Sequence, residues 1–576
     1  MVSNRWVARL VGLLVLLVIV YTLLCTSSMQ PGLRPWPLSV LDGGLECASK
    51  DTGSRTLSAG APGSREPWFP PRTGLVNNLT AALYTPSGVY GFRYDGSLVP
   101  DADYGVYNWC NMPHVRRDRY VVPPPSFALR YVELVHRHHK RTPYAANAFP
   151  VEPYHWDCSD AQVHHYNQPT GTDHHPGDAF LRPDAAVPGN PFAATAPGLH
   201  GSCRFPQLTH GGLVDAWQHG ADLYGVYHDL LHFLPDLAAN DSSQTEIQAA
   251  WTTQTAFRVT NNQITSETAS MVWGGMLAAA GQRSPSWSLP FSVEPVGVDG
   301  LEPQYDCPAG AVAFADITGL DIDSVHGDSR AYRSRAWNAH LVAAADVFRR
   351  LDAASGVLPG DRDFHSSFDH YYDSLSARRC HDLPDVVGVD RNLADTVFRL
   401  GQWEYSRMFR DDARSLGASA ALWGVWVAQL AAHLRTAAAD RQTAPRYRHN
   451  VAHDGSLSRL LSILQADDMV WPGMGSEVVV ELWEKTDHVD DHVDQDADVN
   501  ADISTHPHHY IRVLFGGRLL RSSHPDLADL DMRPLDALLA YLDDLVGPDA
   551  SLVPRKCNGT LALWPRSAAD VTCPLS

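Results

Sequence analysis

Two hydrophobic periods alternate at the ends of this chain. "ALRYVELVH", residues 128–136, is β-branched and aromatic and predicts a strand that Pro143 stops soon after. From Gly211 to Leu234, "GGLVDAWQHGADLYGVYHDLLHFL" places apolar residues at helical spacing. "TAFRVT" (Thr255 to Thr260) predicts a short strand, and "ITSETASMVWGGML" a helix behind it. Residues 329 to about 355 predict one long helix, and more helix runs from Asn392 to about Ala439. "RHNVAH" predicts a strand before the helix "SLSRLLSIL", and "SEVVVELWE" and "YIRVLFGG" predict strands bounded by turn residues. Strand–helix alternation at both ends around a helical block predicts an α/β fold. It is expected to be a mostly parallel sheet flanked by helices, with a smaller α-rich insert over about residues 265–440.

The amino terminus follows another logic. Arg5 and Arg9 precede the uninterrupted apolar stretch Leu10 to Leu24, and polar "CTSSMQPG" follows, which is a secretory-pathway signal over residues 1–29. Its apolar residues rise about 22 Å as a helix, against a hydrocarbon core of roughly 30 Å, so a cleaved signal peptide and a retained type II anchor both fit. Either one translocates the rest of the chain and limits membrane contact to this segment. Residues 30–75, rich in Pro, Gly and Ser, predict a flexible stalk, leaving 76–576 as the folded domain.

Composition agrees with export. A net charge of −20 excludes a general surface for nucleic acid, so any anion site must be local. Lysine is nearly absent (Lys50, Lys140, Lys485, Lys556), so such a site would be built from arginine and histidine. Beyond Cys25, the cysteines Cys47, Cys110, Cys158, Cys203, Cys307, Cys380, Cys557 and Cys573 are dispersed without a CxxC pair. Disulfides in an oxidising compartment, of open connectivity, are expected rather than a zinc ribbon. Asn78, Asn240 and Asn558 begin N-glycosylation sequons. The stretch Lys485 to His509 is crowded with Asp and His, which are metal ligands, yet it matches neither an EF-hand loop nor an HExxH helix. A solvated surface insertion is the expectation there.

The chemistry concentrates in "ELVHRHHKRTPYA", at the carboxyl end of the first strand. Ligands of open α/β sheets bind outside such strand ends. A neutral imidazole can attack phosphorus, and guanidinium forks match the non-bridging phosphate oxygens. In the order Arg137-His138-x-x-Arg141-x-Pro143, two arginines bracket one histidine and can hold a phosphoryl group over its ring. Three His-Asp dipeptides exist: His228-Asp229 inside a helical pattern, His381-Asp382 with no strand before it, and His453-Asp454 between a strand and a Gly-started helix.

These stretches together resemble the histidine phosphatase superfamily, specifically its acid phosphatase and phytase branch. Residues 137–143 resemble its RHGxRxP signature, and "QLTHGGLVDAWQHGADLYGVY" its LTxxGxxQ helix. "FRVTNNQITSETASMVWGGM" is similar to the segment bearing a third phosphate-binding arginine, which maps onto Arg258. "VAHDGSLSRLLSIL" resembles the catalytic His-Asp segment, mapping onto His453 and Asp454, and the resemblance spans about residues 120–560. It departs from the signature at His139, which stands where the family has glycine.

The resemblance implies hydrolysis of phosphate monoesters through a phosphohistidine. His138 would be the nucleophile, Arg137, Arg141, Arg258 and His453 would bind the phosphate, and Asp454 would be the general acid. No metal or other cofactor is implied, and the substrate would be a small-molecule or glycan phosphate monoester. An acidic optimum and a lumenal or extracellular location are expected. A non-catalytic phosphate-binding or structural glycoprotein built on the same fold is the alternative.

Overall fold

The structure is a computed structural model that describes residues 68–72, 77–85, 107–152, 154–161, 163–165, 179–181, 201–237, 244–282, 287–318, 335–440, 442, 444–486 and 508–563. The apolar amino-terminal segment, most of the stalk, Cys25, Cys47, Cys573, the Asn240 sequon and residues 487–507 of the Asp/His-rich stretch lie outside them.

An eight-stranded sheet organises the domain. Its strands are β1 (Phe127–Arg137), β2 (Thr255–Val259), β3 (Phe291–Ser292), β4 (Tyr447–Ala452), β5 (Glu477–Lys485), β6 (His509–Phe515), β7 (Arg518–Leu519) and β8 (Arg533–Pro534). They lie in the order β8-β6-β5-β1-β4-β2-β3, with β7 pairing on β6. The run β1-β4-β2-β3 is parallel throughout, whereas β5 is antiparallel to β1, β6 to β5, and both β7 and β8 to β6. Hence β1, β2, β3, β4 and β6 point one way and β5, β7 and β8 the other, a mostly parallel sheet whose antiparallel strands sit to one side of β1.

From Tyr131 onward β1 is buried on both faces, and successive side chains enter opposite cores. Val132 and Leu134 join one core, Tyr131 and Val135 the other. The first core is closed by helices α1 (His210–Tyr224) and α2 (Gln263–Ala279). These two cross at van der Waals distance. A Cβ on Gly220 would stand 1.9 Å from the carbonyl oxygen of Val272, and one on Gly275 1.9 Å from that of Trp217. The opposite face carries α3 (Asp369–Arg379), α4 (Arg391–Ser406), α5 (Ala413–Ala439), α6 (Asp454–Ile463) and α7 (Leu535–Val546). Although α5 is long and apolar enough to cross a bilayer, most of it is buried, with Trp423, Trp426, Val427, Leu430 and Leu434 in the core.

The single long helix expected over 329–355 is two among the described residues, Arg335–Ala343 and Ala345–Ser355, divided at Ala344, where ψ is 9°. Contacts with the domain begin as early as Trp68, whose indole donates to the carbonyl of Arg410, and Phe69, whose amide donates to Gln465. Three disulfides form among the described cysteines: Cys110–Cys380, Cys158–Cys203 and Cys307–Cys557. Cys110–Cys380 joins the segment before β1 to the end of α3, on which part of the site below depends. Asn78 and Asn558 are both exposed, Asn78 also capping the short helix Leu79–Tyr84.

Candidate active site

The parallel register decides where the site forms. Arg137 pairs with Ala452, and Val259 with Val451, so β1, β4 and β2 end together. The next residues, His138, His453 and Thr260, emerge side by side, and the ring centroids of His138 and His453 are 5.5 Å apart. His453 Nε2 lies 3.0 Å from Thr260 Oγ1 and 3.4 Å from Glu302. At this edge a cavity of about 290 Å³ is walled by Arg137, His138, Arg141, His453, Asp454 and Arg459, together with Tyr144, Asp369, Asp373, Tyr405 and Trp471.

His138 is buried, and its Nδ1 is 3.0 Å from the carbonyl oxygen of His139. A carbonyl only accepts, so Nδ1 carries the proton, and in the neutral ring the lone pair sits on Nε2. Burial, then the charges of Arg137, Arg141 and His453, push its pKa well below the usual imidazole range. The ring therefore stays unprotonated, and nucleophilic, into acid.

Each bracketing arginine is held by partners from remote parts of the chain. Arg137 donates to the carbonyl of Pro472 at 2.7 Å, pairs with Asp454 at 3.0 Å and lies over the Trp109 ring at 4.7 Å. Arg141 pairs with Asp373 at 2.9 Å and stacks over Tyr144 at 4.1 Å. Asp373 also accepts from Asn147 and from the amide of Tyr144. Planar forks fixed in this way lose little entropy when an anion binds.

Two carboxyl groups of the cavity are shifted in opposite directions. Burial works to raise the pKa of Asp454, but Arg137, the Trp471 indole at 2.8 Å, His453 and Arg141 outweigh it and hold the group below its ordinary value. Among the described residues Asp369 has no such partner. Burial, then the negative charges of Asp373, Asp454 and Glu404, raise it to about 7, with Arg141 opposing. As pH rises through about 7, Asp369 gains a negative charge beside any bound anion. KM for a phosphate monoester is expected to rise about tenfold between roughly pH 6 and 8. Asp369→Asn should flatten that limb, which KM–pH profiles of the two proteins will reveal.

Arg258 is not brought into this site. It is a residue of β2 rather than of the loop beyond, and its guanidinium meets Glu294 at 2.6 Å, Asp299 at 2.7 Å and Gln429 at 3.0 Å. It is absent from the cavity wall, and two carboxylates already neutralise it. The phosphate role read from its position in the sequence is therefore corrected to a structural one, fixing the loop at 294–299 against α5. Conversely, sequence analysis missed Asp369, Asp373, Trp471, Tyr405 and Arg459, all in the wall.

His139 turns away from the cavity into a buried histidine network. Its Nε2 is 3.2 Å from His219 Nδ1, and His219 Nε2 is 3.0 Å from Glu477. His136 donates from Nδ1 to the carbonyl of Arg137 at 2.9 Å, so its Nε2 accepts from His449 Nε2 at 2.8 Å. Tyr447 completes that chain at His449 Nδ1, 3.1 Å away. Burial lowers the pKa of His136 to about 3 and those of His139, His219 and His449 well below the usual range, so the rings are neutral. His136, His139 and His219 offer ring nitrogens within 4.8 Å of one another, a spacing open to a metal ion. A metal there would have to break hydrogen bonds that engage both ring nitrogens of His136 and of His219; of the three rings only His139 keeps a nitrogen, Nδ1, without a hydrogen-bond partner among the described residues.

No protein-family model matches the chain, and no curated protein sequence matches it. Among solved structures it is similar to the phytase of Klebsiella sp. ASR1, with a TM-score of 0.42 and 15% identity over 77% of this chain and 100% of that one. It is also similar to Hafnia alvei phytase, with a TM-score of 0.42 and 12% identity over 74% of this chain and 99% of that one. For the multiple inositol polyphosphate phosphatase of Bifidobacterium longum the TM-score is 0.40, with 11% identity over 75% and 96%. At such values the geometry of the site, not the likeness, carries the functional argument.

Proposed function

We propose that this chain is a phosphomonoesterase of the histidine acid phosphatase type, working through a phosphohistidine. The observation that carries this is the state of His138: a buried, neutral imidazole, its proton held on Nδ1 by a carbonyl, in a cavity walled by arginines. Nε2 attacks phosphorus and forms the P–N bond while the P–O bond to the leaving group breaks. Arg137, Arg141 and His453 offset the charge on the equatorial oxygens. Water, giving a proton back to the Asp454 carboxylate, then displaces the phosphoryl group; the P–N electron pair returns to Nε2, and inorganic phosphate leaves.

Asp454 is the acid of the first step. In the empty site it is ionised against Arg137, but a bound phosphate competes for that guanidinium and adds negative charge 3 to 4 Å away, on the order of contact distance, which favours the protonated carboxyl. Low pH helps on the same account, and an acidic optimum fits it. The apolar segment at Leu10–Leu24 and the three disulfides support action in the secretory-pathway lumen or outside the cell.

Residues from about 68 onward, secreted and assayed at about pH 5, test the proposal. Asp454→Asn is expected to lose about 10² to 10⁴-fold in kcat on an alkyl phosphate, whose leaving oxygen needs a proton. It should lose much less on a nitrophenyl ester, whose leaving group does not. Equal losses on both would remove Asp454 from the acid role. Phosphate binding without turnover of any ester by the unaltered protein would favour the non-catalytic reading. Inositol phosphates, sugar phosphates and phosphoxylose, compared in the same assay, divide the substrate classes.

A further inference from the structure

The cations of the cavity differ in what faces them. Arg137 has Asp454 and Arg141 has Asp373, while Arg258, outside it, has both Glu294 and Asp299. Arg459 lines the same cavity, and among the described residues no carboxylate lies within ion-pair distance of it. Its Nη1 donates to the carbonyl of Gly455 at 3.0 Å, and its guanidinium lies 5.7 Å from the Phe409 ring. The acids that act on it from further off are Asp454 and Glu302, with the hydroxyls of Tyr405 and Tyr305. Burial outweighs them and lowers its pKa, the mark of a guanidinium short of counter-charge.

Local geometry explains how a residue in the second turn of α6 reaches the strand ends. Helical side chains lean toward the amino terminus of their helix and lie over the residue four positions earlier. For Arg459 that residue is Gly455, where a Cβ would stand 3.1 Å from Nη1. The glycine leaves the guanidinium its path to the start of α6. There, His453 is the N-cap and Asp454 the first helical residue, so the positive end of the helix dipole faces the cavity.

We propose that Arg459 is the third arginine of the phosphate site, replacing the one that the sequence pattern assigns to Arg258. This rests on the phosphatase reading above. The third guanidinium comes from the helix after His453-Asp454, and the ester's phosphate supplies the counter-charge that the protein withholds. A half-buried cation left without a carboxylate partner in this way costs stability in the ligand-free protein and is retained for binding.

Calorimetric binding of inorganic phosphate, with melting curves in its presence and absence, tests the assignment in wild type, Arg459→Met and Arg258→Gln. Methionine keeps the apolar stem against Phe409 and removes the charge together with the hydrogen bond to the Gly455 carbonyl. Phosphate affinity of Arg459→Met is expected to fall about tenfold or more. Its phosphate-induced rise in melting temperature should shrink accordingly, and in phosphate-free buffer it should melt no lower than wild type. A purely structural arginine would instead lower the melting temperature and leave phosphate affinity alone. Folded Arg258→Gln should bind phosphate as wild type does. Wild-type affinity in Arg459→Met, or its loss in folded Arg258→Gln, overturns the assignment while leaving the phosphatase reading intact. Failure of the wild-type protein both to bind phosphate and to hydrolyse an aryl phosphate overturns the phosphatase reading and this assignment with it.

Discussion

His138→Ala is expected to abolish turnover of an aryl phosphate, lowering kcat by about 10⁴-fold or more, because removing a covalent nucleophile removes the two-step path itself. The loss should be insensitive to pH across the acid range. His138 is held neutral by burial and by Arg137, Arg141 and His453, so no titration of this residue limits the wild-type rate there. The two arginines keep their own partners, Asp454 with Pro472 and Asp373 with Thr142, and do not depend on the imidazole for position. The variant should therefore still bind inorganic phosphate, which separates loss of chemistry from loss of the site. Wild-type protein quenched during turnover of a labelled ester should carry label that resists alkali and is lost in acid, as a phosphoramidate is. Residual turnover in His138→Ala above a hundredth of wild type, on the order of what a misplaced general base would leave, would sink the covalent mechanism.

What the sequence made legible follows physical lines. β1 and β5 announce themselves because both faces of their central residues are buried, which places apolar residues at consecutive positions: Tyr131-Val132 and Leu134-Val135 in β1, Val478-Val479-Val480 and Leu482-Trp483 in β5. His138 and Asp454 were legible because each sits where a strand stops, and the parallel register of β1 and β4 turns that shared sequence context into adjacency. Arg258 failed for a related reason. It lies inside β2, where the strand's alternation sends Phe257 into the core and Arg258 to the other face, against Glu294 and Asp299. Its nearness to the strand end could not reveal that direction. The supports of the arginines had no local signal at all. Asp373 is 232 residues from Arg141, and the Pro472 carbonyl 335 from Arg137, so only the tertiary fold brings them together. Arg459 left a faint trace, a glycine four residues before an arginine on the helix after His-Asp, which acquires meaning only once the cavity is placed at that helix's start.

The departure at His139 leads to the second large effect. Restoring the family's glycine there, His139→Gly, is expected to destabilise the protein by about 3 to 5 kcal/mol. The ring is fully buried and packs against His219 and His136, so its removal opens a hole and strands His219 Nδ1 without a donor. Added backbone freedom in the unfolded chain costs roughly 0.5 to 1 kcal/mol more. The space for the ring comes from Gly475, where φ is +70° and a Cβ would stand 2.4 Å from His139 Cε1. Only glycine fits beside this histidine. Gly475→Ala should accordingly be severe in the wild-type background, where it drives a methyl into the imidazole. In His139→Gly it should cost only the roughly 1 to 2 kcal/mol of a left-handed alanine. The two substitutions thus form a cycle with a coupling of at least about 1 kcal/mol, measurable as denaturant midpoints of the four proteins. Additive effects would mean that the ring and Gly475 do not share this space. Hydrolytic activity of folded His139→Gly should stay within about tenfold of wild type, since His139 meets the nucleophile through its carbonyl, which glycine retains. The histidine is then a packing solution behind the site, and the chemistry in front of it is left to His138, the arginines and Asp454.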